Sequence, residues 1–75
     1  MNGRRQPYTV RGIRRVSCAG CGLPSRQQWQ ICADDNLYRG VCNKCDIALN
    51  RLVLEFFHFE DVDVKLAAYA ERLAS

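Results

Sequence analysis

Four cysteines in two short pairs are the residues of this 75-residue chain whose chemistry is easiest to name. Two residues separate Cys18 from Cys21 and Cys42 from Cys45, and 20 residues lie between the pairs. Each short spacing lets two thiolates reach one cation from a tight turn. The long insert between the pairs lets the second pair reach the same cation. The pattern predicts one structural Zn²⁺ with four protein ligands and no open position for catalysis.

Two other uses of these cysteines remain as alternatives. A disulfide framework needs an oxidising compartment, and the fifth cysteine, Cys32, makes the number odd. An iron–sulfur cluster also takes four cysteine ligands. Cys32 itself is expected to be a small buried apolar side chain in a strand, with a redox role or a spare-ligand role as the alternatives.

A bound metal would stabilise the fold of a chain this short. At 75 residues it is one domain, and 48% hydrophobic with 25% charged residues is an ordinary globular composition. A chain this short rarely buries enough apolar surface to be stable unaided. No apolar run approaches the roughly 20 residues of a membrane-spanning helix, so we expect no membrane association.

The elements that must position the cysteines can be read from the residue pattern. Residues 29–32 predict a short strand, residues 34–36 a turn, and residues 37–39 the returning strand of a β-hairpin. Apolar residues then recur at helical spacing and predict a helix over residues 43–57. A second helix is expected over residues 61–73.

The predicted fold is therefore a small zinc-stapled α+β domain, with two CxxC knuckles around a β-hairpin followed by two helices. Asp61 or Asp63 would serve as N-cap of the second helix, where an acidic residue also suits the helix dipole. We expect a basic, partly flexible N-terminal segment over residues 1–16, with an extended lead-in from Tyr8, and a zinc-binding domain over residues 17–75.

Basic residues concentrate near the N-terminus. Residues 1–26 hold six arginines and no acidic residue, whereas residues 55–75 hold five acidic and two basic residues. Arginine fits phosphate well, so we expect the basic segment to attract nucleic acid, the alternative being a solvated arm. The predicted binding residues are Arg4, Arg5, Arg11, Arg14, Arg15, Arg26 and Arg39.

From Cys18 to Leu73 the chain resembles the phage recombination endonuclease VII family, ββα-metal nucleases that cut branched DNA. The resemblance rests on the two CxxC pairs, on residues 39–46 (RGVCNKCD) and on residues 67–69 (AAY). It implies a zinc-bound module with a hairpin between the pairs and a helix after them. It also implies a catalytic divalent metal and a histidine base within the hairpin.

The catalytic residues of that family carry over only in part. This hairpin contains Asp34 and Asp35 but no histidine, and Asp46 stands where the family has an Asn that helps to bind the metal. The three carboxylates are a weak alternative magnesium site; acidic residues of a turn and a helix start are the simpler interpretation. His58 is expected on the surface.

The aromatic residues give two further expectations. Phe57 and Phe59 form a candidate docking surface, because three neighbouring phenylalanines are hard to bury in a short chain; an aromatic core between the helices is the alternative. Trp29 and Tyr38 of the hairpin either pack onto the first helix or form a stacking face with nearby arginines.

These features predict a non-enzymatic, zinc-stabilised binding module, a phage-type regulator of a nucleic-acid transaction, with transcription as the suggested arena. It would dock on nucleic acid or on a protein machine such as RNA polymerase. We expect a cytoplasmic location, which is the host cytoplasm if the chain is phage-encoded. A homodimer is a further candidate assembly. The alternatives are a divergent, metal-dependent DNA endonuclease of the endonuclease VII type and an adaptor that binds only protein.

Overall fold

The computed structural model describes residues 6–75, so the predicted binding residues Arg4 and Arg5 lie outside the described residues. The chain forms a small α+β structure in which a two-stranded antiparallel hairpin is combined with helices, and the predicted fold class is confirmed. The elements in chain order are helix α1 (Val10–Ile13), strand β1 (Gln27–Ile31), a 3₁₀ turn (Cys32–Asp34), strand β2 (Leu37–Val41), helix α2 (Asn43–Phe56) and helix α3 (Val62–Ala74).

The hairpin lies between the two cysteine pairs, as predicted. Trp29 is opposite Arg39 at its centre, and Ile31 is opposite Leu37 next to the turn. The turn contains two residues with positive φ, Asp35 at 55° and Asn36 at 62°. Short polar side chains tolerate this left-handed conformation better than others, which explains why the chain reverses here.

Cys32 differs from its prediction as a buried strand residue. Strand β1 ends at Ile31, and Cys32 begins the 3₁₀ turn with its side chain exposed. The prediction was wrong because the chain leaves the sheet one residue earlier than the sequence pattern indicated. At the tip of a two-stranded hairpin no other described element covers the side chain.

The extended lead-in predicted from Tyr8 is also wrong, because α1 is a short helical turn. Thr9 is its N-cap, and the Thr9 hydroxyl accepts a hydrogen bond of 2.9 Å from the backbone nitrogen of Gly12. This local cap outweighs the β-propensity of the segment. Ile13 is buried, so the turn packs against the rest of the structure. The division into residues 1–16 and 17–75 stays a prediction.

A reciprocal pair of hydrogen bonds attaches the start of the described chain to the hairpin. The Tyr8 backbone nitrogen donates to Gln28 Oε1 at 2.7 Å, and Gln28 Nε2 donates to the Tyr8 carbonyl at 3.0 Å. The segment before α1 is therefore aligned with the beginning of β1.

Helices α2 and α3 lie close to their predicted ranges. Asp61 occupies the predicted N-cap position of α3, but its side chain makes no capping hydrogen bond. Arg51 of α2 instead donates to Asp63 Oδ1 at 2.7 Å and so links the two helices. His58, between them, is exposed, as predicted, with a φ of 60°. Across residues 6–75 the helices are too short or too polar to traverse a bilayer.

Few apolar residues are fully buried. One cluster consists of Cys18, Val41 and Cys42, and the partly buried Trp29 and Leu49 pack against it. Two of the three central residues of this cluster are therefore candidate metal ligands. Whatever holds the cysteine sulfurs together also holds the largest part of the core.

Gly40 allows a close contact between β2 and the segment that precedes β1. Ser25 is 0% exposed and its backbone nitrogen donates to the Val16 carbonyl at 2.9 Å. A Cβ atom on residue 40 would lie 2.8 Å from Ser25 Cβ and 3.1 Å from Ile13 Cδ1. Both neighbours are buried, so a larger side chain at residue 40 has no space to occupy.

We expect Gly40→Ala to lower the free energy of unfolding by about 1–3 kcal/mol, since it overpacks this contact. Ser25→Gly in the same chain should restore most of the loss because it vacates the space that the new Cβ needs. Urea unfolding of the wild type, both single variants and the double variant measures the coupling. Strictly additive effects of the two substitutions would contradict this account of Gly40.

Candidate metal centre

The four paired cysteines converge. One sulfur from each of Cys18, Cys21, Cys42 and Cys45 lies within 4.8 Å of the other three. Within residues 6–75 this is the only group of at least three histidine, cysteine or acidic side chains that could hold a metal ion. Tetrahedral coordination at about 2.3 Å per bond would place sulfurs roughly 3.8 Å apart. The Cys21 and Cys42 sulfurs are 3.5 Å apart, so the arrangement fits one ion.

The first knuckle is shaped by backbone hydrogen bonds and by small residues. The Cys18 nitrogen donates to the Leu23 carbonyl at 2.6 Å, and the Gly22 nitrogen donates to the Cys18 carbonyl at 2.9 Å. Gly22 has a φ of 83°, a conformation that glycine adopts without steric cost. At Gly20 an added Cβ would lie 3.0 Å from the Cys45 sulfur, so glycine there lets the backbone approach the ligands.

The second knuckle coincides with the start of α2. Cys42 is the N-cap, and its sulfur accepts a hydrogen bond of 3.5 Å from the Cys45 nitrogen. The positive end of a helix dipole stabilises negative charge on thiolates placed there. The second cysteine pair therefore lies at the positive end of α2.

The crowded sulfurs do not titrate alike. A hydrogen bond from the Cys42 backbone is the main reason that the pKa of Cys18 is lowered to about 6. Contacts with the Cys18 and Cys42 sulfurs, together with desolvation, raise the pKa of Cys45 to about 12. Without a cation one thiolate therefore forms while a neighbour keeps its proton. A divalent ion removes this conflict because it stabilises every thiolate at once.

Asp46, directly after the last cysteine, is a buried hydrogen-bond acceptor that joins three elements. Its side chain is only 3% exposed. Trp29 Nε1 of β1 donates to Asp46 Oδ1 at 2.5 Å, and the Tyr69 hydroxyl of α3 donates to Asp46 Oδ2. Buried polar groups are costly unless they are paired, and here both carboxylate oxygens are paired. Asp46 therefore ties α3 and the hairpin to the metal-binding end of α2.

The three carboxylates of the alternative magnesium site occupy different environments. Asp34 ends the 3₁₀ turn and Asp35 follows it, both exposed at the tip of the hairpin, while Asp46 is buried beneath Trp29 and Tyr69. Within residues 6–75 these three carboxylates do not come together as a group that could hold a metal ion. The structure gives Asp46 a role that sequence reasoning missed. Its partner Tyr69 is 23 positions away, and no local pattern indicates that pairing.

The other predicted binding residues lie on the surface. The five described arginines of that set are exposed: Arg11, Arg14, Arg15, Arg26 and Arg39. Two of them, from separate segments, line the same groove: Arg14 and Arg26.

The three phenylalanines at the end of α2 and just beyond it do not form an aromatic core, so that alternative is wrong. Phe57 is 63% exposed and Phe59 is 52% exposed, and Phe56 packs edge-on against Phe57 with ring centres 5.1 Å apart. Trp29, by contrast, packs onto the core as predicted, beside α2.

Comparison of the chain with protein-family models, with curated proteins and with solved structures finds no match. The likeness to the endonuclease VII family therefore stays a prediction that rests on the residues quoted above.

Partial burial is the main reason that the pKa of Tyr69 is raised to about 12, and the hydrogen bond to Asp46 adds to it. The unfolded chain releases this proton near pH 10, so the folded state binds it more tightly. The resulting stability is complete below about pH 10 and is lost as the pH rises to about 12. We expect the unfolding free energy, measured in urea, to fall over this interval.

Tyr69→Phe should remove most of that alkaline fall, because phenylalanine cannot ionise. Tyr38→Phe is the matched control and should keep it. Equal alkaline falls in the wild type and in Tyr69→Phe would show that the Tyr69 proton is not coupled to folding.

Proposed function

We propose that this chain is a non-enzymatic, zinc-stabilised binding module that docks on nucleic acid and regulates a nucleic-acid transaction, with transcription as the suggested arena. The observation that carries the proposal is the combination of a closed four-cysteine centre with exposed arginines that have no acidic partner within residues 6–75. The location proposed for it is the cytoplasm, that of the host if the chain is phage-encoded.

Zinc is the proposed ion because the donor set is four thiolates. Soft sulfur ligands in a tetrahedral arrangement select zinc or iron–sulfur clusters over hard cations such as Mg²⁺. The sulfurs fit a single ion, and four cysteine ligands fill its coordination shell. Such an ion holds the fold and offers no open position at which substrate is activated.

The arginines support nucleic acid as the partner. In the part of the chain from residue 6 onward, Arg11, Arg14, Arg15, Arg26 and Arg39 form no ion pair. Arg51, on the acidic C-terminal side, contrasts with them because it pairs with Asp63 and Glu55. Unpaired exposed guanidinium groups are available for phosphate contacts, which supply most of the affinity in sequence-independent binding.

A protein machine such as RNA polymerase is the second candidate partner. The exposed faces of Phe57 and Phe59 favour it, because neighbouring exposed aromatic rings are common at protein interfaces. The endonuclease alternative has no comparable support, since the Asp46 oxygens are engaged by Trp29 and Tyr69.

A gel experiment separates these candidates. Zinc-loaded protein is incubated with branched DNA, duplex DNA and single-stranded RNA, with and without Mg²⁺ or Mn²⁺. We expect a shifted complex that weakens as salt rises and no cleavage of any substrate.

Each other outcome assigns a different function. Metal-dependent cleavage by the wild-type protein would replace the proposal with the nuclease. Loss of that cleavage in Asp46→Ala or in Asp34→Ala would then identify the carboxylate on which it depends. Neither shift nor cleavage would overturn nucleic-acid docking and leave a protein partner, to be tested by loss of polymerase binding in Phe57→Ser.

A further inference from the structure

A groove of about 380 Å³ separates the N-terminal turn from the start of the hairpin. Its lining includes Tyr8 and Arg14 from the N-terminal segment, Arg26 and Gln28 from the start of the hairpin, and Asn43 from the start of α2. This volume falls within the roughly 300–1,000 Å³ that is usual for sites that bind small groups. The groove is therefore large enough to admit part of a charged polymer.

The charge in the groove is of one sign. No described residue that lines the groove is acidic, whereas two arginines line it, Arg14 and Arg26. Within residues 6–75 neither guanidinium group has a hydrogen-bond or ion-pair partner. Two guanidinium groups at one concave surface repel each other, and an anion placed between them removes that repulsion.

The polar side chains around the arginines are held in place by their own hydrogen bonds. Gln28 exchanges two hydrogen bonds with the Tyr8 backbone, and Gln27 Nε2 donates to Asn43 Oδ1 at 3.3 Å. The second bond leaves the Asn43 amide nitrogen as a further donor. These contacts fix the two segments that carry the arginines, so both segments line the groove before any ligand arrives.

We propose that this groove binds the phosphodiester backbone of a nucleic acid, with Arg14 and Arg26 contacting phosphate oxygens. The inference rests on the proposed function and deepens it, because it selects two arginines from the basic set as the contact site. Arginine suits the task because its planar fork donates two parallel hydrogen bonds to one phosphate. The contacts involve only the backbone, so affinity depends on salt more than on base sequence.

The test uses the full-length, zinc-loaded chain and two probes, a short labelled duplex DNA and a short labelled single-stranded RNA. Fluorescence anisotropy is measured for wild type, Arg14→Glu, Arg26→Glu and the control Lys65→Glu, from about 50 to 200 mM salt. All three substitutions reverse one exposed charge, and Lys65 lies on α3 away from the lining of the groove. Circular dichroism confirms that each variant is folded.

We expect each arginine variant to bind the preferred probe about tenfold more weakly, and its salt slope to fall by about one. Lys65→Glu should stay within about twofold of wild type, since Lys65 does not line the groove. If wild type binds but the arginine variants behave like Lys65→Glu, the groove is not the site and nucleic-acid docking stands. If wild type binds neither probe, both the groove and the proposed function are overturned.

Discussion

The convergence of four cysteine sulfurs sets the arrangement of most of this small protein. It joins a glycine-rich turn to the N-terminus of α2 across a hairpin, and two of the cysteines are also among the few buried apolar residues. Contacts with neighbouring sulfurs and desolvation raise the pKa of Cys45, so this thiol keeps its proton unless a cation is present. We therefore expect metal binding, thiol ionisation and core formation to be parts of one event, as in metal-dependent small domains.

Asp46 extends this organisation beyond the sulfurs. It follows Cys45 directly, so its position is fixed by the metal knuckle, and its carboxylate receives hydrogen bonds from Trp29 and Tyr69. One buried acidic group thereby connects the hairpin, α2 and α3. Without this link α3 would be attached to the rest chiefly by its packing on α2 and by the surface pair of Arg51 with Asp63. A surface pair of this kind contributes little stability.

The sequence predicted the parts of the structure that local rules control. The CxxC spacings indicated the metal centre, and alternation, turn residues and helical periodicity placed the hairpin and both long helices. The prediction from sequence failed at Thr9, where one capping hydrogen bond favours a helical turn over an extended segment. It also failed at Cys32, which is exposed because no other described element covers its side chain. The partnership of Asp46 with Tyr69 and the shared groove of Arg14 and Arg26 depend on long-range packing, which has no periodic signature.

The most direct test of the account follows metal content and circular dichroism in one chelator titration. We expect one Zn²⁺ per chain in the wild type and in Cys32→Ser, and loss of the helical spectrum in step with loss of the ion. A structural zinc contributes about 10–16 kcal/mol to folding, which is comparable to the whole stability of a domain. Cys21→Ser should bind zinc far more weakly. A protein that keeps its spectrum after complete zinc removal would contradict the central claim.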